Sequence, residues 1–222
     1  MTIGIIMAAG RSTRINSQIP KQFCKICDRP VIQYSLSAFE KSALIDSCLV
    51  MIPQGYAERI SQMVEGFRKV RWILTGGETR HQTSVIALDF LRSVSPSIVV
   101  FHDAARPFLS VSLLEKVIEE AKVFGAATAA VPITDTVAYF KDDFVNSYIP
   151  RDGLYRIQTP QAFRYDIVVN ALKDFEGEDS TKPVFLSGEK IRLVEGDSYC
   201  FKITKPKDLE LARVLCRFWK GD

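Results

Sequence analysis

Short, β-rich and mostly apolar runs alternate along the chain with longer stretches in which apolar residues recur every three or four positions. The runs at residues 3–7, 48–52, 72–75, 98–101, 126–131 and 190–194 read as strands. Those that are apolar throughout rather than alternating predict strands covered on both faces. Strand–helix alternation then predicts an α/β fold with a doubly wound, mostly parallel sheet. The clearest helix follows Ser110 as N-cap, carries Leu113, Leu114, Val117, Ile118 and Ala121 on one face, and stops at Gly125. Another begins near Pro206 and is expected to turn Leu209, Ala212, Leu215, Phe218 and Trp219 inward. In such sheets ligands bind at the carboxyl ends of the strands.

Residues 136–157 break the rhythm and read as an extended hairpin turning near Lys141-Asp142-Asp143. Its aromatics, Tyr139, Phe140, Phe144, Tyr148 and Tyr155, exceed what an isolated two-stranded ribbon can bury. The segment is therefore expected to be a protruding β-hairpin arm that packs on a second copy of the chain, making a homodimer. No repeat or low-complexity stretch divides the remainder, so residues 1–222 read as a single domain with the arm inserted.

Charge changes the picture little: 29 Lys and Arg against 26 Asp and Glu leave +3, too little for a nucleic-acid coat or a polybasic membrane surface. The apolar start is far shorter than the roughly 20 residues that span a bilayer and follows no basic leader, so neither membrane nor secretion is expected. Five cysteines, odd in number and scattered, suit a reducing cytoplasm rather than a secreted disulfide framework. Cys24-Lys25-Ile26-Cys27 has the spacing of a metal or redox pair, but no second pair exists and the histidines are only His81 and His102. A structural or incidental role is expected.

Three segments carry candidate chemistry. The first strand runs into Ala8-Ala9-Gly10 and then into Arg11, Arg14 and Lys21. Small residues admit a ligand close to the backbone, and N–H groups with clustered cations suit a triphosphate; a tight strand exit with solvated cations is the other reading, and composition alone leaves both open. Neither a Walker lysine motif nor a three-glycine dinucleotide fingerprint is present, which disfavours a P-loop ATPase and a simple NAD enzyme. The strand at 98–101 leads into His102-Asp103-Ala104-Ala105-Arg106-Pro107. Asp103 is a candidate Mg²⁺ ligand, or else an N-cap or an ion-pair partner of Arg106. His102 is expected to hydrogen-bond within the fold, since nucleotidyl transfer leans on charge stabilisation. Gly76-Gly77, ahead of Arg80, Ser84 and Val85, is either a base-reading turn or a plain connection.

Together with Pro20-Lys21-Gln22, Asp135-Thr136, Arg151, Gln158-Thr159-Pro160-Gln161, Glu195-Gly196 and Lys202-Ile203-Thr204, these blocks resemble the cytidylyltransferases of the non-mevalonate isoprenoid pathway. The resemblance covers nearly the whole chain. It implies a Rossmann-like nucleotidyltransferase fold and transfer of CMP from CTP to 2-C-methyl-D-erythritol 4-phosphate. It implies that Ala8, Ala9, Gly10, Lys21, Gly77, Ser84 and Asp103 contact CTP, and that Arg14 and Lys21 stabilise the transition state. Asp103, Arg106, Thr136, Arg151 and Lys202 would serve the sugar phosphate or its Mg²⁺ on Asp103, with Thr136 and Arg151 reaching the neighbouring subunit's site. The sequence departs from the family pattern at Ser12, where a glycine is usual, at Tyr155, where a tryptophan is usual, at Glu178-Asp179, and in having three residues between Arg80 and Ser84. Ribitol-5-phosphate cytidylyltransferase and a non-catalytic CTP-binding module are the alternatives; the second does not need both Arg14 and Lys21.

Overall fold

The computed structural model describes residues 1–10 and 19–219 of the chain; Ser12 and Arg14 lie outside the described residues. Strand β1 (Thr2–Met7) is followed by a 3-10 turn (Lys21–Phe23), a small hairpin of β2 (Lys25–Ile26) and β3 (Arg29–Pro30), and helix α1 (Val31–Lys41). Then come β4 (Ser47–Ile52), α2 (Ala57–Val64), β5 (Val70–Thr75), α3 (Arg80–Phe90), β6 (Ile98–Asp103), α4 (Val111–Phe124) and β7 (Ala126–Pro132). The chain continues through β8 (Val137–Lys141), β9 (Phe144–Ile149), β10 (Tyr155–Arg164), α5 (Tyr165–Asp174), α6 (Thr181–Leu186), β11 (Arg192–Glu195) and α7 (Pro206–Leu215).

Seven strands form one sheet in the order β11-β7-β10-β6-β1-β4-β5. Only β10 runs against its neighbours, pairing antiparallel with β6 and β7, while the other pairings are parallel. The fully apolar strands are explained by what covers them. Ile6, Val50 and Val100 pack with Phe39 of α1 and Leu114 of α4 on one face; Ile3, Ile5, Val99 and Phe101 pack with Leu88 of α3 and Leu172 of α5 on the other. Gly4 permits this closeness, since a Cβ there would lie 2.4 Å from the Phe39 ring. The α4 helix is capped as expected: Ser110 Oγ accepts from Leu113 N, and Gly125 ends it at φ 86°.

Strand β10 is absent from the sequence reading. It contains Pro160 and the buried polar residues Gln158, Thr159 and Gln161, with a register shift between Ile157 and Gln161. Those features argue against a central strand unless each polar group finds a partner, and here they do. Gln158 Nε2 donates to Asp197 O at 2.9 Å, and Gln161 Oε1 accepts from Ser180 N at 3.3 Å.

Two further expectations are corrected. Helix α7 stops at Leu215, so Phe218 falls off its apolar face and is exposed, while Trp219 folds back with its ring centroid 5.4 Å from that of Phe108. Cys27 and Cys216 form a disulfide that ties the β2–β3 turn to the end of α7, so not all the thiols are reduced. Cys24, Cys48 and Cys200 are buried free thiols, and burial pushes the last two up to about 12.

The hairpin turns where expected, at Asp142 and Asp143, both with positive φ, as a two-residue hairpin turn requires. Tyr139, Phe140, Phe144 and Tyr148 stay exposed on it.

Candidate active site

Adjacent parallel strands bring three loops together at their carboxyl ends. Ala8 N donates to Met51 O (2.9 Å), Gly76 N to Ile52 O (2.9 Å) and Ala104 N to Met7 O (3.1 Å), so the exits of β1, β5 and β6 lie side by side. Between them opens a cleft of about 270 Å³ bordered by Ala8, Ala9, Gly10, Lys21, Gly77, Asp103 and Lys202, all expected from the sequence. Arg80, Asp103 and Lys202 also border a second hollow of about 430 Å³ that reaches Arg106 and Thr159. A larger hollow, about 730 Å³, lies at the opposite, amino ends of the parallel strands near Met1 and Ser97, away from these loops.

The glycine turn is dictated by close approach. A Cβ on Gly76 would sit 2.5 Å from Ala9 Cβ, and one on Gly77 would sit 2.6 Å from Gln82 Cβ. The turn leads into a capping box in which Thr79 Oγ1 accepts from Gln82 N and Gln82 Oε1 accepts from Thr79 N. Ser84, expected to contact CTP, lies just behind the cleft wall. Ser84 stands four residues into the helix from Arg80, so its buried Oγ donates to Arg80 O at 3.1 Å and it does not border the cleft. Thr83 does, and its Oγ1 accepts from Gly77 N at 3.1 Å.

Asp103 is the electrostatic centre. Its carboxylate lies 2.7 Å from Lys202 Nζ, 3.5 Å from Arg80 Nε and 3.8 Å from Arg106 Nε. Burial would raise its pKa, but Lys202, Arg80 and Arg106 outweigh burial and hold the carboxyl well below the usual range. Arg80 Nη2 and Arg106 Nε are buried without a hydrogen-bond partner among the described residues. Cationic donors left this way cost stability, which an incoming phosphate oxygen would restore. Around Asp103 itself three cations, Arg80, Arg106 and Lys202, face one carboxylate, a local positive charge suited to phosphate, while Glu78, Glu178 and Asp179 border the outer parts of the two hollows.

A buried relay fixes the turn that carries Asp103. His102 Nε2 lies 3.1 Å from Arg106 O, so it is the protonated nitrogen; Nδ1 accepts from Thr159 Oγ1 at 3.1 Å, and Thr159 Oγ1 in turn accepts from Asp103 N at 3.1 Å. Burial lowers the His102 pKa to about 4. His102 is thus a neutral structural group, as expected, and joins Asp103 to Arg106. Lys202 is held from the other side, where Ile203 N donates to Ala105 O (2.9 Å) and Asp208 Oδ2 accepts from Thr204 N (2.7 Å).

Thr136 and Arg151 do not border either hollow of their own chain; both are exposed on the arm segment, where Arg151 donates to Thr134 O. Arg14 lies outside the described residues. The sequence reading assigned no role to Arg80, although it sits in the quoted block after Gly76-Gly77, nor to Thr83 or Gln22.

The family profile for 2-C-methyl-D-erythritol 4-phosphate cytidylyltransferase matches residues 2–217. A protein of that name from Thermotoga neapolitana is 41% identical over 221 residues, covering 99% of both chains, and one from Caldicellulosiruptor saccharolyticus is 36% identical over 217 residues, covering 96% of both. Among solved structures, the Thermus thermophilus enzyme of the same name superposes with a TM-score of 0.80 at 32% identity, covering 96% of this chain and 98% of that one. The 4-diphosphocytidyl-2C-methyl-D-erythritol synthase of Anaerococcus prevotii superposes with a TM-score of 0.85 at 26% identity, covering 97% of this chain and 96% of that one.

Proposed function

Since the chain belongs to the 2-C-methyl-D-erythritol 4-phosphate cytidylyltransferase family and therefore transfers CMP from CTP to that sugar-alcohol phosphate, we propose how its residues divide the reaction. The supporting observation is the cluster in which Asp103, Arg80, Arg106 and Lys202 join the small-residue loop at the exit of β1. The triphosphate of CTP lies against Ala8-Ala9-Gly10 and Lys21, with its base toward Gly77 and Thr83. A phosphate oxygen of the second substrate bonds to the α-phosphorus in line as the bond to the β-phosphate breaks, and pyrophosphate leaves with the electron pair. The attacking monoester is already largely deprotonated near neutral pH, so no general base is needed. Lys21 and Arg14 stabilise charge on the α-phosphate, and Lys202, Arg106 and Arg151 align the attacking phosphate.

The residues fit Mg²⁺. Asp103 supplies one permanently ionised carboxylate, and among the described residues no group of three or more His, Cys, Asp or Glu offers an all-protein cage. Mg²⁺ commonly takes one or two carboxylates and fills its shell with phosphate and water. Held by Asp103, it would supply charge neutralisation across the triphosphate.

We propose further that the enzyme is a homodimer; the reducing cytoplasm expected from its cysteines is at odds with the Cys27–Cys216 disulfide. Its exposed aromatic arm is covered by a second copy, and Thr136 and Arg151 act in the partner's cleft. Pyrophosphate release from CTP tests the assignment: it is expected with methylerythritol phosphate and much slower with ribitol 5-phosphate. Preference for ribitol 5-phosphate would overturn the substrate assignment.

A further inference from the structure

One side-chain amide bridges both ends of the loop at the exit of β1. Gln22 is buried, and its Nε2 donates to Ala8 O at 2.5 Å and to Gly10 O at 3.0 Å. Those carbonyls are the first and last of Ala8-Ala9-Gly10, so one two-proton donor bridges both ends of the segment. In a trans peptide the C=O and the next N–H point in opposite directions. Turning the Ala8 carbonyl toward Gln22 therefore turns the Ala9 N–H away from it. Gln22 also follows Lys21 directly in the 3-10 turn, which is closed by Phe23 N donating to Pro20 O (2.9 Å) and Cys24 N donating to Lys21 O (3.0 Å). One residue thus joins the backbone of the loop to the segment that carries the lysine.

We propose that Gln22 is a positioning residue for CMP transfer: it sets the register between the Ala8-Ala9-Gly10 backbone and Lys21, and so the alignment of the α-phosphate with its stabilising cation. This rests on the reading that those groups receive CTP. The side chain is specific. Both amide protons are used, an ionised carboxylate would face two carbonyl oxygens with no proton to give, and asparagine is one methylene too short to reach both ends.

The test compares wild type with Gln22→Ala, Gln22→Asn and Gln22→Glu in steady-state assays with CTP and methylerythritol phosphate. Gln22→Ala and Gln22→Asn should lose about 10- to 100-fold in kcat/KM for CTP, while KM for the sugar phosphate stays within about twofold. In Gln22→Glu the new carboxyl donates only when protonated, and burial raises its pKa. Its activity relative to wild type should therefore rise reversibly as pH falls from about 8 to about 6. If Gln22→Ala does not fold, that pH-dependent ratio carries the test. Near-wild-type kcat/KM for CTP in Gln22→Ala, an equal rise in KM for both substrates, or a Gln22→Glu ratio flat with pH would overturn the proposal. Absence of turnover in wild type would overturn the underlying reading, and the proposal with it.

Discussion

Replacing His102 should make the protein less sensitive to acid. His102 is fully buried, donates from Nε2 to Arg106 O and accepts at Nδ1 from Thr159, and its pKa falls from the ordinary 6.5 to about 4. Between those values the unfolded chain binds a proton that the native protein does not, so stability rises with pH and is lost as pH falls. The contribution is intact above about pH 7, and at pH 4.5 the loss amounts to about 2 kcal/mol. Asp103, whose folded pKa is held below its ordinary 3.8, begins to lose its own linked stability only near pH 5, and since both proteins carry it that loss cancels in the comparison. His102→Gln keeps an N–H donor and removes the titration. Urea unfolding of both proteins at pH 7.0, 6.0, 5.0 and 4.5, at one protein concentration, measures the effect. The variant will be less stable at pH 7 through imperfect packing, but the gap should close by about 2 kcal/mol at pH 4.5. A gap that stays constant across the series would refute the neutral, relay-bound histidine.

Lys21→Ala should lower kcat by on the order of 100-fold or more, with the circular dichroism spectrum unchanged; near-normal turnover would remove Lys21 from the transition state. Mixing inactive Arg151→Ala chains with inactive Lys21→Ala chains should restore measurable activity, since one site of each mixed dimer would be intact; no restoration would count against a site shared between subunits. The Cys27–Cys216 cross-link, with a sequence separation of 189, has a loop-closure ceiling of about 5 kcal/mol. Cys216→Ser should therefore lower the thermal midpoint by roughly 5–15 °C in differential scanning calorimetry without reducing agent. An unchanged midpoint would mean that the bond does not form in solution.

Much of the scaffold is legible in the sequence because its cause is local. Ile3, Ile5 and Ile6 read as a two-faced strand since both neighbours' faces are covered, and Ser110 and Gly125 mark α4 by backbone chemistry that depends on no distant partner. Strand β10 is illegible for the opposite reason: Gln158, Thr159 and Gln161 are tolerable inside a sheet only because Asp197, His102 and Ser180 meet them across the fold. At the site, the loop at residues 8–10, Lys21, Gly77, Asp103 and Lys202 converge as expected, because each follows a strand end or a recognisable block. Which of Thr83 and Ser84 borders the cleft is not legible in the sequence, because neighbours on a helix point about 100° apart and the start of α3 fixes the phase. Gln22 and Arg80 matter through what they touch, and those partners, from Gly10 to Ser180, lie 12 to 100 residues away in sequence.

The reaction exchanges bonds at phosphorus, so ³¹P NMR of the purified protein with CTP, Mg²⁺ and 2-C-methyl-D-erythritol 4-phosphate follows it bond by bond. The monoester resonance should vanish as a diphosphate diester and pyrophosphate appear in equal amounts. Hydrolysis of CTP with the monoester untouched, or no change in either substrate, would contradict CMP transfer.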